Sequence, residues 1–444
     1  MSAPRQLLSV ADGVFLTVGM VIGVGIFKAP SIVAGNTAGA AEFLLAWLLG
    51  GAISLCGAVA YAELSARHPE TGGEYAFLRQ GLGEGAAFLF AWSRMTVIQT
   101  GAIAAVAFVF GEYASEILRL GEHSVAIYAA LSVLALTLLN FAGTTQSKTL
   151  QKVMETLLIG GLLFLAVAGM LAGGAPKPAP AGAGGGDFLF AMMFVFFTFG
   201  GWNEAAYLAG EVRDARRNMT VILVGGIVCV TFLYLVVNLG YLMALGQGGV
   251  AASKAVGADV MRLVAGEPGA VLLSLIVCVS ALTTINAAIF TGARTNFALG
   301  RDYPLFAGLG RWRESGSTPA NALVLQGAVT LVLVAAASAF TRDGFDAMVA
   351  YTAPVFWTFF LLTGAVLFVF RRRERGGRDA TAPFRVPLYP VVPLIFCAMC
   401  GFMLWKAVAY IFNPQYGPRF GALVLAGIVA MAAGIPMYLL ARRR

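Results

Sequence analysis

The chain has 444 residues; only 12% are charged, and the hydrophobic set makes up 59%. Soluble globular proteins carry roughly 25% charged residues, so a soluble surface, an intrinsically disordered chain and a disulfide-rich secreted scaffold are all excluded. The net charge of +8 comes from basic residues between apolar segments, where it reads as an orientation signal; no nucleic-acid partner is expected.

A membrane-spanning helix needs about 20 apolar residues. Taken in chain order, the apolar segments predict twelve spans: 10–36, 39–65, 85–112, 123–142, 147–173, 187–210, 218–246, 269–300, 319–340, 345–371, 387–412 and 418–441. Met1–Val10 is short and polar, so no cleavable signal peptide is expected. With both termini placed in the cytoplasm, the inner connections and tails hold about three times as many Lys and Arg as the outer ones. The expectation is a multi-pass protein of the plasma membrane, a bacterial inner membrane, with cytoplasmic N- and C-termini. Residues 1–444 form one transmembrane domain. Ala172–Gly186 is a Pro/Gly linker where two five-helix halves would join. Arg371–Pro387 is a basic loop. Cys56, Cys229, Cys278, Cys397 and Cys400 all fall in apolar runs, and Cys397–Cys400 reads as two core residues rather than a redox or metal pair.

Glycine inside a helix costs roughly 1 kcal/mol relative to alanine, so paired mid-span glycines need a reason. The first span contains Ile22-Gly23-Val24-Gly25-Ile26-Phe27 and the sixth contains Thr198-Phe199-Gly200-Gly201-Trp202-Asn203. Each is the first helix of its half. Close helix packing is one explanation. Two breaks at corresponding positions favour the other, a transporter binding site lined by unwound backbone. Such backbone is tolerated in a bilayer only when buried in protein or lining a cavity. A zwitterion would satisfy it: freed N–H groups suit a carboxylate, and freed carbonyls suit an ammonium or a small cation.

These residues resemble the amino acid–polyamine–organocation (APC) superfamily. Gly23-Val24-Gly25-Ile26-Phe27 is similar to its GSGIF-type signature. Tyr61-Ala62-Glu63-Leu64 with Pro69-Glu70-Thr71-Gly72-Gly73-Glu74-Tyr75-Ala76-Phe77-Leu78 resembles its second-helix and loop motif. Phe199-Gly200-Gly201-Trp202-Asn203, Glu211 and Arg217-Asn218, then Asn286, Phe290-Thr291, Arg294 and Arg301-Asp302, resemble the L-amino acid transporter branch. The resemblance implies an all-α membrane protein of the LeuT type. Two inverted five-helix repeats, about 10–173 and 187–371, would be followed by helices 11 and 12 at about 387–441, with helices 1 and 6 broken at mid-membrane.

The resemblance also implies site residues. Backbone N–H groups of Gly23, Val24 and Gly25 would hold a substrate carboxylate. Carbonyls of Val21, Phe197 and Gly200 would hold its amine. Phe197 takes the aromatic gate position, Trp202, Asn203 and Thr284 border the side-chain pocket, and Trp357 lies behind. Val24 replaces the common Ser of the signature but keeps its N–H. Sodium-independent members often carry a Lys on the fifth helix, and alignment through Gln151 puts Leu158 there. Ser280, Thr283 and Thr284, with the carbonyls of Gly19 and Ile22, would then form a sodium or other cation site. Those hydroxyls could equally bond their own helix.

Other intramembrane charges are read as functional by default. Lys28 is expected at the outer vestibule, snorkelling to water or playing a role there. Arg94 is expected to pair with Glu63 or Glu74. Glu204 either titrates or faces water. His68 and His123 are solvated loop residues. The expected function is secondary active transport of L-amino acids, neutral ones favoured, by ion-coupled symport or exchange. The alternative is a cationic amino acid or polyamine antiporter of the same fold. Channel and intramembrane-enzyme readings lack a repeated filter or a nucleophile–base pair, so no catalytic residue and no cofactor beyond Na+ or H+ coupling is expected. Gly111–Ser124 contains no cysteine, so no disulfide-linked heavy chain is expected.

Overall fold

The computed structural model describes residues 9–68, 73–143, 148–173, 186–314, 318–341, 343–376, 384–412 and 417–442. Pro69–Gly72 of the loop motif, residues 174–185 of the Pro/Gly linker, and residues 377–383 of the basic loop lie outside them.

The described residues are overwhelmingly helical: α1 Val10–Val21, α2 Ala29–Gly35, α3 Ala40–Arg67, α4 Gly73–Leu82, α5 Glu84–Ser93, α6 Gln99–Ile117, α7 Ser124–Ala142, α8 Lys148–Ala172, α9 Phe188–Phe199, α10 Ala215–Ala252, α11 Val256–Asp302, α12 Ala320–Phe340, α13 Gly344–Arg375, α14 Val391–Ala409, α15 Gly417–Ala432 and α16 Gly434–Arg442. Among the described residues, eleven helical segments are long and apolar enough to cross a membrane, and Val10–Val21 is a shorter apolar helix beside them. Local chemistry sets several starts. Ser9 and Asp12 close a capping box on α1, and the Asp187 carboxylate accepts the Leu189 and Phe190 N–H groups that open α9, each satisfying donors that a helix start leaves orphaned.

The segmentation departs from the expected spans in four places. α4 is a separate short helix before the third span. α10 and α11 each absorb a turn through one glycine in the left-handed region, Gly246 and Gly266, both at φ 67°. One π-helical turn, Arg94–Ile98, joins α5 to α6.

Large apolar side chains point outward along the long helices, including Leu171, Phe164, Phe232, Val332 and Trp405. In water this would be a severe cost; it suits a hydrocarbon environment. Inward, α3 packs along α10 and α9, burying Trp47 among Phe43, Phe199 and Tyr234. α8 and α10 cross backbone to backbone. A Cβ on Gly240 would meet the Ala166 carbonyl oxygen at 2.6 Å, and one on Gly169 would meet the Gly240 carbonyl oxygen at 2.7 Å. Small-residue contacts of this kind let membrane helices approach closely.

Gly240→Ala is therefore expected to force α8 and α10 apart and destabilise by roughly 1–3 kcal/mol, read as a lower melting temperature. Gly160→Ala, on the same α8 but with nothing within 4 Å of an added Cβ, should leave the melting temperature unchanged or raise it.

Candidate functional site

The first span stops being α-helical where the glycines stand. α1 ends at Val21; Ile22 is non-helical, Gly23 is extended, and Val24–Phe27 forms a short 3-10 turn before α2. The Gly23 N–H, which a continuous helix would give to Gly19, is donated to Val21 at 2.7 Å. The sixth span behaves alike. α9 ends at Phe199, Gly200 turns the chain out of the helix, and Gly201 adopts φ 103°, a left-handed conformation that favours glycine. A 3-10 helix, Trp202–Glu211, follows.

The two interruptions face each other. A Cβ on Gly201 would strike the Met20 carbonyl oxygen at 2.5 Å, and one on Gly25 would touch Thr198 at 3.2 Å. Tyr234 of α10 ties them. Its fully buried hydroxyl lies 2.9 Å from the Val21 carbonyl oxygen and 3.0 Å from that of Thr198, so one O–H serves a carbonyl of each broken helix. The sequence reading missed Tyr234; a lone tyrosine inside an apolar span was its only signal.

Around the breaks lies a cavity of about 810 Å³, within the range of ligand sites. It is lined by Gly19, Val21, Ile22, Gly23, Val24, Gly25, Phe197, Gly200, Asn203, Ser280, Thr283, Thr284 and Trp357, bringing together every expected site residue but one. The exception is Trp202. Its indole is 2% exposed and packs edge-on against Tyr61 with ring centroids 4.9 Å apart, and also against Phe360 and Phe396. The turn at Gly201 rotates it behind the cavity wall, so it supports the pocket without bordering it. Val21 lines the cavity, and its carbonyl already accepts from Tyr234 and Gly23. Thr283 and Thr284 hydroxyls donate to the Val279 and Ser280 carbonyls at 2.9 and 3.1 Å, and Leu158 lines the cavity beside them.

The charged groups pair differently from the expectation. Arg94, 4% exposed, forms a two-pronged contact with Glu204, 2.9 Å on each prong, and lies 3.3 Å from the Tyr207 hydroxyl. The π-turn that begins at Arg94 sets it facing the second break. Glu63 goes elsewhere. It is fully buried on the basic face, accepting from Arg67 and Arg371 at 2.7 Å and from the Val386 N–H at 2.8 Å. Glu74 accepts from Tyr61 at 2.6 Å, Asn203 at 3.2 Å and Tyr207 at 3.4 Å. Burial pushes its carboxyl up from the ordinary carboxylate range, with the Tyr61 bond opposing the shift and Glu204 adding to it.

The cavity lining also includes exposed Thr291 and Trp312. Phe197 meets Phe345 edge-to-face, centroids 5.5 Å apart. Lys28 does not snorkel. It is buried against Glu112 of α6 at 2.7 Å and Asp343, the N-cap of α13, at 3.1 Å, which stitches three elements together behind the aromatic pair.

Tyr234→Phe would take this donor from the Thr198 carbonyl, while the Val21 carbonyl would keep the Gly23 N–H. Leaving a buried polar group unsatisfied costs about 1–3 kcal/mol. The expected outcome is a lower melting temperature together with weakened ligand-induced stabilisation, measured on the purified variant.

The chain matches the amino acid permease family over residues 8–433. It is 25% identical over 431 residues to the serine/threonine exchanger SteT of Bacillus subtilis (strain 168), covering 95% of this chain and 94% of the relative. It is 26% identical over 444 residues to the mouse (Mus musculus) b(0,+)-type amino acid transporter 1, covering 96% and 87%. Over 454 residues it is 26% identical to the human (Homo sapiens) large neutral amino acids transporter small subunit 2, covering 99% and 81%.

Proposed function

Because this chain belongs to the amino acid permease family, we propose that it is a secondary active transporter of neutral L-amino acids working by alternating access, and not an enzyme. The two breaks would sit at corresponding positions of inverted repeats, about 10–173 and 187–371. In this reading the N–H groups of Gly23, Val24 and Gly25 take the carboxylate. The amine goes to the Gly200 carbonyl and its neighbours, since the Val21 carbonyl is already doubly engaged. Phe197 against Phe345 and the Lys28 cluster close the outer side, and the cavity opens inward, with both termini cytoplasmic in a bacterial plasma membrane. The substrate and the bilayer are its partners; no nucleic acid and no disulfide-linked heavy chain is assigned.

One observation carries the substrate class. The carboxylate nearest the second break, Glu204, is neutralised by Arg94 through both oxygens, so it offers no free negative charge to a cationic side chain. The cavity's other carboxylates are Glu74, which accepts from Tyr61, Asn203 and Tyr207, and Glu155 on the α8 wall; nearest the breaks, Phe197, Trp357 and Phe356 with Thr284 and Asn203 make a mainly apolar surface for small or aliphatic neutral side chains.

A thermal-shift panel of the twenty amino acids on purified protein tests this directly, because a ligand that binds only the native state raises the melting temperature. Neutral amino acids should stabilise and arginine and lysine should not; stabilisation by cationic amino acids alone would overturn the assignment. Arg94→Gln should shift the panel toward lysine and arginine, because it uncovers the Glu204 carboxylate. Counterflow of a labelled neutral amino acid in proteoliposomes then tests transport itself.

A further inference from the structure

Beside the second break the cavity touches a buried carboxylate that the amino acid itself does not need. Glu74, in the first turn of α4, lines the cavity yet is 2% exposed. Its hydrogen-bond donors are all uncharged: the Tyr61 hydroxyl on one oxygen, the Asn203 amide and the Tyr207 hydroxyl on the other. The guanidinium of Arg94 is taken by Glu204 through both oxygens. Two carboxylates thus share one cation in this corner, and Glu204 holds it.

We propose that Glu74 is a proton-binding site of the substrate cavity and that its proton travels with the amino acid. This rests on the transporter reading above and names its coupling ion. A buried carboxylate without a cation of its own is costly, and taking up a proton relieves that cost. Burial pushes the Glu74 carboxyl up; the Tyr61 bond opposes this, Glu204 adds to it, and Arg94 and Asn203 oppose it. α5 and α13, also packed on α4, bring their charges to its far end. There Glu84 meets Arg79, and Arg373 donates to the Gln80 and Gly81 carbonyls.

Position gives the proton its reach. Asn203 follows the second break and lines the cavity. With Glu74 ionised, the Asn203 amide and the Tyr207 hydroxyl both donate to one carboxylate oxygen. A proton on that oxygen sets a donor against two donors, so the amide turns or withdraws. The joint is tight: Gly73 holds φ 46°, and a Cβ there would lie 2.7 Å from the Tyr207 ring. Protonation is therefore felt by the 3-10 helix that carries the break. The sign of the coupling follows from solvation. An amino acid filling the cavity displaces water that would solvate the charged form, so its binding favours the proton. By linkage, the proton favours the amino acid to the same extent. No covalent bond of the substrate changes; a proton from water binds the carboxylate on loading and returns to water when the cavity empties.

The test uses the full-length protein. In proteoliposomes without sodium, an inward proton gradient should drive accumulation of a labelled neutral amino acid. In Glu74→Gln, which fixes the uncharged form, the ratio of gradient-driven accumulation to counterflow should fall to the level seen without a gradient. On purified protein, amino acid affinity should weaken as pH rises through a midpoint. Tyr61→Phe removes a bond to the charged form and should move that midpoint up by about one to two pH units. It also serves as the test variant if Glu74→Gln does not fold. Accumulation that follows a sodium gradient and ignores pH, an unaltered ratio in Glu74→Gln, or an unmoved midpoint in Tyr61→Phe would each overturn the proposal. Counterflow without any proton-driven accumulation sinks this proposal alone, whereas absence of counterflow at every pH sinks the transporter reading with it.

Discussion

Backbone polar groups have no water to turn to inside a bilayer, and every other feature of this site answers that constraint. Two helices give up their internal hydrogen bonds side by side, at Ile22–Gly23 and at Gly200–Gly201. The arrangement survives because the breaks partly satisfy each other's surroundings. Gly201 approaches the Met20 carbonyl where no side chain would fit, and the Tyr234 hydroxyl serves Val21 and Thr198 together. The groups that remain unserved line a cavity. In the proposed function they would hold the substrate, through the same glycines that destabilise the helices.

Two buried charge clusters lie outside the cavity lining. On the basic face, Glu63 gathers Arg67, Arg371 and the Val386 N–H, joining α3, α13 and the chain leading to α14. In the second cluster, Lys28 joins α2's approach, α6 and α13. Both clusters are largely buried, and removing one partner of a buried ion pair costs far more than the pair contributes as a whole. Such clusters therefore act as latches: stable when complete and costly when half-made. α13 takes part in both, so a movement of α13 against α3 or α6 cannot leave the two latches unaffected. That coupling is what an alternating cavity requires.

Much of this was legible in the sequence because it rests on periodicity and glycine. Apolar run lengths located the long helices, and paired mid-span glycines located both interruptions. The failures share a different cause. Trp202 follows a residue whose left-handed φ turns the chain in a direction no linear pattern reveals, so a residue beside the break ends up behind the wall. Arg94 was assigned to Glu63 or Glu74 by its depth along a helix, but the π-turn reorients it toward Glu204. Tyr234 lies far along the chain from both glycine breaks, and its contact with them comes from tertiary proximity. Backbone-driven features were readable, whereas partners fixed by the crossing of distant helices were not.

The pairing of Arg94 with Glu204 shows how a site can exclude a ligand without a repulsive wall. A free carboxylate beside the second break would welcome a lysine or arginine side chain. Two short contacts from a guanidinium fork occupy both of its oxygens, and the geometry of that fork is well matched to a carboxylate. A cationic substrate would have to displace the arginine and leave a buried positive charge unpaired, at a cost of about 3–5 kcal/mol. A neutral side chain asks for no such exchange and needs only the aromatic and apolar surface around Phe197 and Trp357. In the proposed function, selectivity for neutral substrates would follow from a charge already compensated inside the protein, and it would depend on Arg94 remaining against Glu204.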